Sequence, residues 1–249
     1  MSEFEKLFNE LSRTNDRSII WNNWLDYCIN INLMQTTSKY APRDFYNNEE
    51  TYFLMFVEWI NELNNKLQNE SYYDLIGTLY EENVQSKGKA KDFQQYFTPA
   101  SVTELLSDLI IDEQKEYDKP FMSDPCCGSG RFMLAAHTRS QGKLICIGQD
   151  LDETACKMAV LNLYSHGVRG SVLHMNTLEG TFYKGWRVNR YLLHGIPVPH
   201  IEEIHNVSEA HDFLGVKYNG NEDNVLVVDS PTVDNKSKVT TSTKQSTLI

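Results

Sequence analysis

Apolar positions recur at helical spacing through the first third of the chain and at strand-like spacing after residue 120, and this change of period divides it. The runs "EFEKLFNEL", "SIIWNNWLDYCINI", "ETYFLMFVEWINELNNKL" and "YYDLIGTLYEENV" carry almost no Gly and no alternation, which predicts a helical N-terminal domain over residues 1–90. "TNDRS" supplies capping residues before the second run, and "APRD" marks a break before the third. Trp21, Trp24 and Trp59 fall at helical spacing among other apolar residues, so they are assigned to the core.

From about residue 93 the pattern changes. "QYFTPASVTELLSDLI" reads as a loop, a Thr-Pro helix start and an amphipathic helix. Three apolar runs follow, "KPFMSDPC", "KLICIGQD" and "SVLHMN", separated by helical "GRFMLAAHTRS" and "ETACKMAVLNLYSHG". That alternation predicts an α/β domain over residues 91–231 with a parallel, right-handed, doubly wound, Rossmann-like sheet. A fourth run, "DNVLVVDSP", comes late, so the sheet looks incomplete, with an edge that a partner chain or dimer mate would cover. Residues 179–223 are broken by Pro and Gly and are expected to form one helix plus an ordered insertion. The tail, 232–249, is polar, rich in Ser, Thr and Lys and lacks periodicity, which predicts disorder.

Composition narrows the class. A chain of 249 residues with 41% hydrophobic content can build a core. No apolar run is long enough to cross a membrane, and the acidic, amphipathic N-terminus is unlike a signal peptide; a soluble cytoplasmic protein is expected. The net charge of −11 argues against a surface that grips DNA everywhere, because phosphate neutralisation supplies most non-specific affinity. Any DNA contact is therefore local or shared with a partner; Lys87, Lys89 and Lys91 are a local candidate whose other reading is a solvated loop. The five Cys are odd in number and lack a paired C-x-x-C spacing, which indicates neither a disulfide framework nor a zinc site.

The candidate chemistry sits in "DPCCGSGRFML". In open α/β sheets ligands bind at the carboxyl ends of strands. Gly128 and Gly130 let the backbone approach a ligand, and the helix that follows offers N–H groups and a positive dipole end. A P-loop is excluded because no Gly-Lys-Ser/Thr follows, and the dinucleotide fingerprint is not completed. The second strand ends in Asp150, about twenty residues past Gly130, where an acidic side chain accepts from a ribose diol. Leu151 can pack on a purine face, and Asn176, ending the third strand, can offer its amide to the edge of the base.

The motifs "DPCCGSGRFML", "GQDLD" and "NTL", in this order, resemble the cofactor motifs of N6-adenine DNA methyltransferases. "QQYFTPASVTELL" and "YYDLIGTLYEE" are similar to the segments that precede them in type I modification subunits. The likeness covers roughly residues 70 to 178. It implies a methyltransferase core with S-adenosylmethionine as cofactor: Tyr96, Thr98 and Pro99 closing over the methionine end, Asp124 and the turn through Cys126, Gly128 and Gly130 holding its amino and carboxylate groups, Asp150 on the ribose, and Leu151, Asn176 and Leu178 around the adenine. It also implies DNA as partner and methyl transfer to adenine, with no metal required.

The likeness breaks at the fourth strand. The family holds the flipped base with an Asn or Asp-Pro-Pro-Tyr or Phe tetrapeptide, and the nearest text here is Asp229, Ser230, Pro231 and Thr232, without an aromatic ring. Asp229 and Pro231 are the candidate catalytic residues. A second reading is a degenerate module that binds the cofactor and acts in regulation or DNA maintenance; a third is methylation of a protein or small molecule. Tyr183, Trp186 and Tyr191 in the insertion could stack a base but fit core packing, and His194, His200, His205 and His211 lack convincing metal-ligand spacing. The terminal "QSTLI" resembles a peptide that docks on bacterial sliding clamps, through Gln245, Leu248 and Ile249.

Overall fold

A computed structural model of the chain describes residues 1–34, 43–85, 98–112, 120–192, 198–213 and 226–227. Four helices come first: α1 (Glu3–Leu11), α2 (Arg17–Ile31), α3 (Arg43–Leu67) and α4 (Leu75–Tyr80), the last running into a π-helical turn, Glu81–Gln85. A capping box starts α1, with Ser2 Oγ accepting from the Glu5 amide and Glu5 accepting from the Ser2 amide. Asp16 caps α2 by accepting from the Ser18 amide at 2.8 Å. Trp21, Trp24 and Trp59 are core residues, fully buried with Phe4 and Phe8. Their rings meet edge to face, Phe4 on Trp24 at 4.9 Å and Trp24 on Trp59 at 5.9 Å, contacts worth about 0.5–1.5 kcal/mol each beyond area burial.

The remaining elements are α5 (Ala100–Ile110), β1 (Phe121–Asp124), α6 (Arg131–Arg139), β2 (Ile145–Asp150), α7 (Glu153–Ser165), β3 (Gly170–Asn176), β4 (Thr181–Val188), β5 (Ile201–Ile204) and β6 (Leu226–Val227). The first three strands and their two crossover helices match the sequence pattern. Their order is β1-β2-β3-β4-β5, with β6 pairing β4. The sheet is mixed: β1, β2 and β3 run parallel, while β4 is antiparallel to both β3 and β5.

This corrects the parallel, doubly wound expectation. Only four residues, Thr177–Gly180, separate β3 from β4, too few for a parallel crossover. Asn176 Oδ1 folds that loop by accepting from the amides of Leu178 and Glu179 at 3.1 and 3.2 Å. The described part of 179–223 is thus two strands and a 3₁₀ turn, Ser208–His211, in place of the expected helix. Residues of α6 and α7 share one core with Cys146, Val172 and Trp186 on one face of the sheet. The opposite face, with Ile145, Ile147, Leu173 and Met175, packs under Ala210 and Phe213. Among the described residues β1 is an edge strand, and "DNVLVV" contributes β6 beside β4.

The helical region is joined to the sheet layer by polar contacts as well as by the shared core. Lys157 of α7 reaches Asp26 of α2 at 2.8 Å. Tyr164 donates to Asn32 Oδ1 at 2.6 Å, and the Met34 amide donates to the Ile201 carbonyl at 2.9 Å.

Candidate functional site

The carboxyl ends of β1, β2 and β3 lie side by side, and the turn 125–130 crosses their mouth. Gly128 and Gly130 both take positive φ, 52° and 86°, a region costly for residues with a Cβ. A Cβ at Gly130 would also press on Ala159 of α7, at 3.3 Å from its Cβ. The turn closes through the Gly130 amide on the Cys127 carbonyl at 2.8 Å, and the Cys127 amide bonds to the Gln149 carbonyl at 2.9 Å.

Two carboxylates face this turn. The Gly128 amide donates to Asp150 Oδ2 at 2.8 Å and the Asp152 amide to Asp150 Oδ1 at 2.9 Å. Asp124 accepts from the Cys126 amide at 3.2 Å. Burial pushes the Asp124 carboxyl above its ordinary range; the Cys126 amide opposes this and the charge of Asp150 adds to it. No basic side chain among the described residues pairs with either acid. Each Asp150 oxygen keeps acceptor capacity beyond its one bond to the backbone.

Leu151 and Leu178, which follow β2 and β3, are 63% and 99% exposed, an arrangement that leaves apolar surface at the strand ends. Asn176 ends β3, and its oxygen is committed to the hairpin turn, which leaves Nδ2 as the side chain's donor. Thr177 Oγ1 donates to the Pro125 carbonyl at 3.2 Å and ties the end of β3 to the turn. Thr98 and Pro99 are exposed, and the Thr98 carbonyl accepts from Arg131 at 2.8 Å, which brings the start of α5 to the start of α6. Tyr96, Asp229 and Pro231 lie outside the described residues, as do Lys87, Lys89, Lys91, His194, the tail and the terminal Gln245, Leu248 and Ile249.

The insertion residues that are described are packed. Trp186 is 1% exposed in the core. Tyr191 stacks on His200 at 5.3 Å, and the buried His200 accepts from the Tyr191 amide at 3.2 Å. His211 lies against Phe121 at 5.2 Å, while His205 is exposed. Tyr183 contacts His174 at 4.8 Å beside the strand ends. All five cysteines are free thiols. Cys126 is exposed, whereas Cys127 is buried with its thiol pushed up by burial and by the neighbouring Cys156 and Asp150.

Sequence reasoning missed the support beneath the turn. Asp74, at the N-cap of α4 and 4% exposed, accepts from Ser129 Oγ at 2.5 Å, Arg131 Nε at 3.0 Å and Asn162 Nδ2 at 2.7 Å. Arg131 also approaches Glu81 at 3.6 Å. The available signal was an Asp directly before "LIGTLY", an ordinary N-cap pattern that says nothing of partners 55 to 88 residues away.

Comparison with known proteins bears on the same segment. A family model described as N-6 DNA Methylase matches residues 71–191. The chain is 32% identical over 104 residues to the type I restriction enzyme MjaVIII methylase subunit of Methanocaldococcus jannaschii, covering 40% of this chain and 17% of that protein. It is 22% identical over 178 residues to the type II restriction enzyme and methyltransferase RM.BcgI of Heyndrickxia coagulans, covering 62% of this chain and 27% of that one. The chain therefore spans well under a third of either relative. No solved structure matches it. The matched segment runs from the Asp74 anchor through the turn and all three parallel strand ends, and it is this segment of the chain that is similar to the N-6 DNA methylase family.

Proposed function

We propose that the chain binds S-adenosylmethionine across the ends of β1, β2 and β3 and takes part in transfer of its methyl group to N6 of adenine in DNA. The observation that carries this reading is the pair of acids at the turn, Asp124 and Asp150, with no basic side chain on either among the described residues. Such a site favours a ligand bearing positive charge, and S-adenosylmethionine carries an ammonium and a sulfonium. The residues fit the rest of the molecule. Gly128 and Gly130 admit its amino-acid end, Asp150 has acceptor capacity for a ribose diol, and the exposed Leu151 and Leu178 offer faces for adenine with Asn176 Nδ2 at its edge. Bound there, the cofactor supplies an electrophilic methyl group. Thr98 and Pro99 stand at the α5 side of the turn, where closure over the methionine end, together with Tyr96, is assigned.

The acceptor half rests on the likeness of residues 71–191 to N-6 DNA methylases and on Asp229 and Pro231 as holders of the amino group. The net charge of −11 favours DNA contact through a partner chain, and one relative is by name a subunit of a type I restriction enzyme. Calorimetry with S-adenosylmethionine, followed by a labelled-methyl assay on mixed-sequence DNA, tests both halves. Absence of cofactor binding overturns the reading. Binding without methyl incorporation, with or without partner chains, selects the second reading, a cofactor-holding regulatory module. That alternative is favoured by the Asp-Ser-Pro-Thr text at 229–232, which lacks the ring that stacks a flipped base.

A further inference from the structure

We infer that Asp74, which lies outside the strand-end site, is the positioning residue that holds the glycine-rich turn in its ligand-receiving shape. An N-cap needs one acceptor, yet the Asp74 carboxylate serves four donors. Oδ1 accepts from the Gly77 amide at 2.8 Å and from Asn162 Nδ2 at 2.7 Å. Oδ2 accepts from Ser129 Oγ at 2.5 Å and Arg131 Nε at 3.0 Å. Both oxygens are filled to their two-lone-pair capacity. Two of the donors, Ser129 and Arg131, flank Gly130. Asn162 gives its second amide hydrogen to the Ser129 carbonyl at 2.8 Å, so the turn is held from its side chains and its backbone together.

Only a carboxylate satisfies this corner. In Asp74→Asn, an NH2 group replaces one of the two oxygens and faces two donors. If it faces Ser129 and Arg131, the hydroxyl can rotate to accept but the guanidinium cannot; if it faces Gly77 and Asn162, the Gly77 amide cannot, and Asn162 can only by turning its amide over and giving up the Ser129 carbonyl. Gly77 has a matching role. A Cβ there would strike Asp74 Oδ2 and stand 2.8 Å from both Cγ and Oδ1, so the missing side chain is what lets the carboxylate fold onto its own helix. Ala is the better helix former at such a position, so Gly77→Ala separates helix stability from anchoring.

The effect on ligand rests on the reading above, in which the turn takes the amino-acid end of the cofactor. The test therefore has two arms on the full chain. In the first, hydrogen exchange of the amides at 126–131 is measured without ligand for wild type, Asp74→Asn and Gly77→Ala. Both variants are expected to exchange about tenfold faster there, with exchange in the α2 and α3 core unchanged. In the second, calorimetry compares S-adenosylhomocysteine with 5′-methylthioadenosine, which lacks the amino-acid end. The variants are expected to bind the first about tenfold more weakly and the second as wild type does. Unchanged exchange at 126–131 overturns the anchor, as does equal weakening of both ligands alongside faster exchange throughout the core. A turn that loosens in variants of a protein that binds neither nucleoside upholds the anchor and removes the cofactor reading.

Discussion

The Gly128 amide donates to the Asp150 carboxylate at 2.8 Å, joining the turn after β1 to the end of β2 across 22 residues of sequence. The bond sets the depth at which the turn sits over the strand ends. It also orients the carboxylate, since Oδ1 is held by the Asp152 amide on the other side. Asp150→Ala removes both acceptors at once. Affinity for S-adenosylmethionine is expected to fall by about 1.5–3 kcal/mol, the worth of hydrogen bonds to a charged group. Calorimetry giving the wild-type dissociation constant for the variant would refute the placement of the ribose.

Cys126 should be the one thiol that reacts in the native protein. Cys28, Cys127, Cys146 and Cys156 are buried. Their thiols are pushed up by burial, Cys146 to about 12, so little thiolate exists near neutrality. A timed titration with a chromogenic disulfide is expected to release one fast equivalent, lost in Cys126→Ser. Saturating S-adenosylmethionine should slow that equivalent, because Cys126 sits in the turn; labelling at an unchanged rate in saturated protein would count against the site.

Lys157 ties the helical region to α7 through Asp26 at 2.8 Å and Glu153 at 3.1 Å. Burial opposes its charge, but the two acids outweigh burial and raise its affinity for the proton. Lys157→Met leaves Asp26, already raised by burial, without its partner. Destabilisation of about 1–3 kcal/mol is expected after allowing for the partial exposure of Asp26. Adding Asp26→Asn should return part of it in a double-mutant cycle followed by urea unfolding, and strict additivity would show that the pair does not interact.

Acidification from pH 7.5 to 5.5 should lower the melting temperature. His137, His166 and His211 are held below the ordinary imidazole range, in each case chiefly by burial. His137 and His166 line a common cavity of about 230 Å³. A depressed histidine binds its proton more readily in the unfolded chain. Its contribution is therefore intact above the unfolded value of about 6.5 and is lost as pH falls from there towards the folded one. His166 Nε2 accepts from the Tyr73 amide at 3.3 Å, a contact that protonation removes. His166→Gln is expected to flatten the pH dependence measured by calorimetric melting, and an identical slope in the variant would assign the effect elsewhere.

What was legible in the sequence was local. The helices, the three parallel strands and the turn at Gly128 and Gly130 each follow from a period or from a residue type that a tight turn demands. β4 was not legible, because Gly185 interrupts "TFYKGWRV" as a loop residue would. In the sheet it is a strand residue whose missing Cβ gives space to Ile204 and Leu173, which an added Cβ would approach to 2.7 and 2.9 Å. Asn176 was legible as a polar group at a strand end, yet its oxygen folds the hairpin. Asp74 was hidden for a different reason, since its worth depends on Ser129, Arg131 and Asn162 arriving from elsewhere in the chain.

The closed ring formed by Asp74, Ser129 and Asn162 bears on how this site can be moved. A graft of residues 120–180 onto a foreign scaffold would carry the turn, its glycines and Asp150. It would also carry Asn162, Ser129 and Arg131 aimed at a corner with no acceptor in it, so that Ser129 Oγ, Arg131 Nε and one amide hydrogen of Asn162 each lose the carboxylate that receives them here. The smallest portable piece of this site starts before its first strand, at the helix that brings the carboxylate.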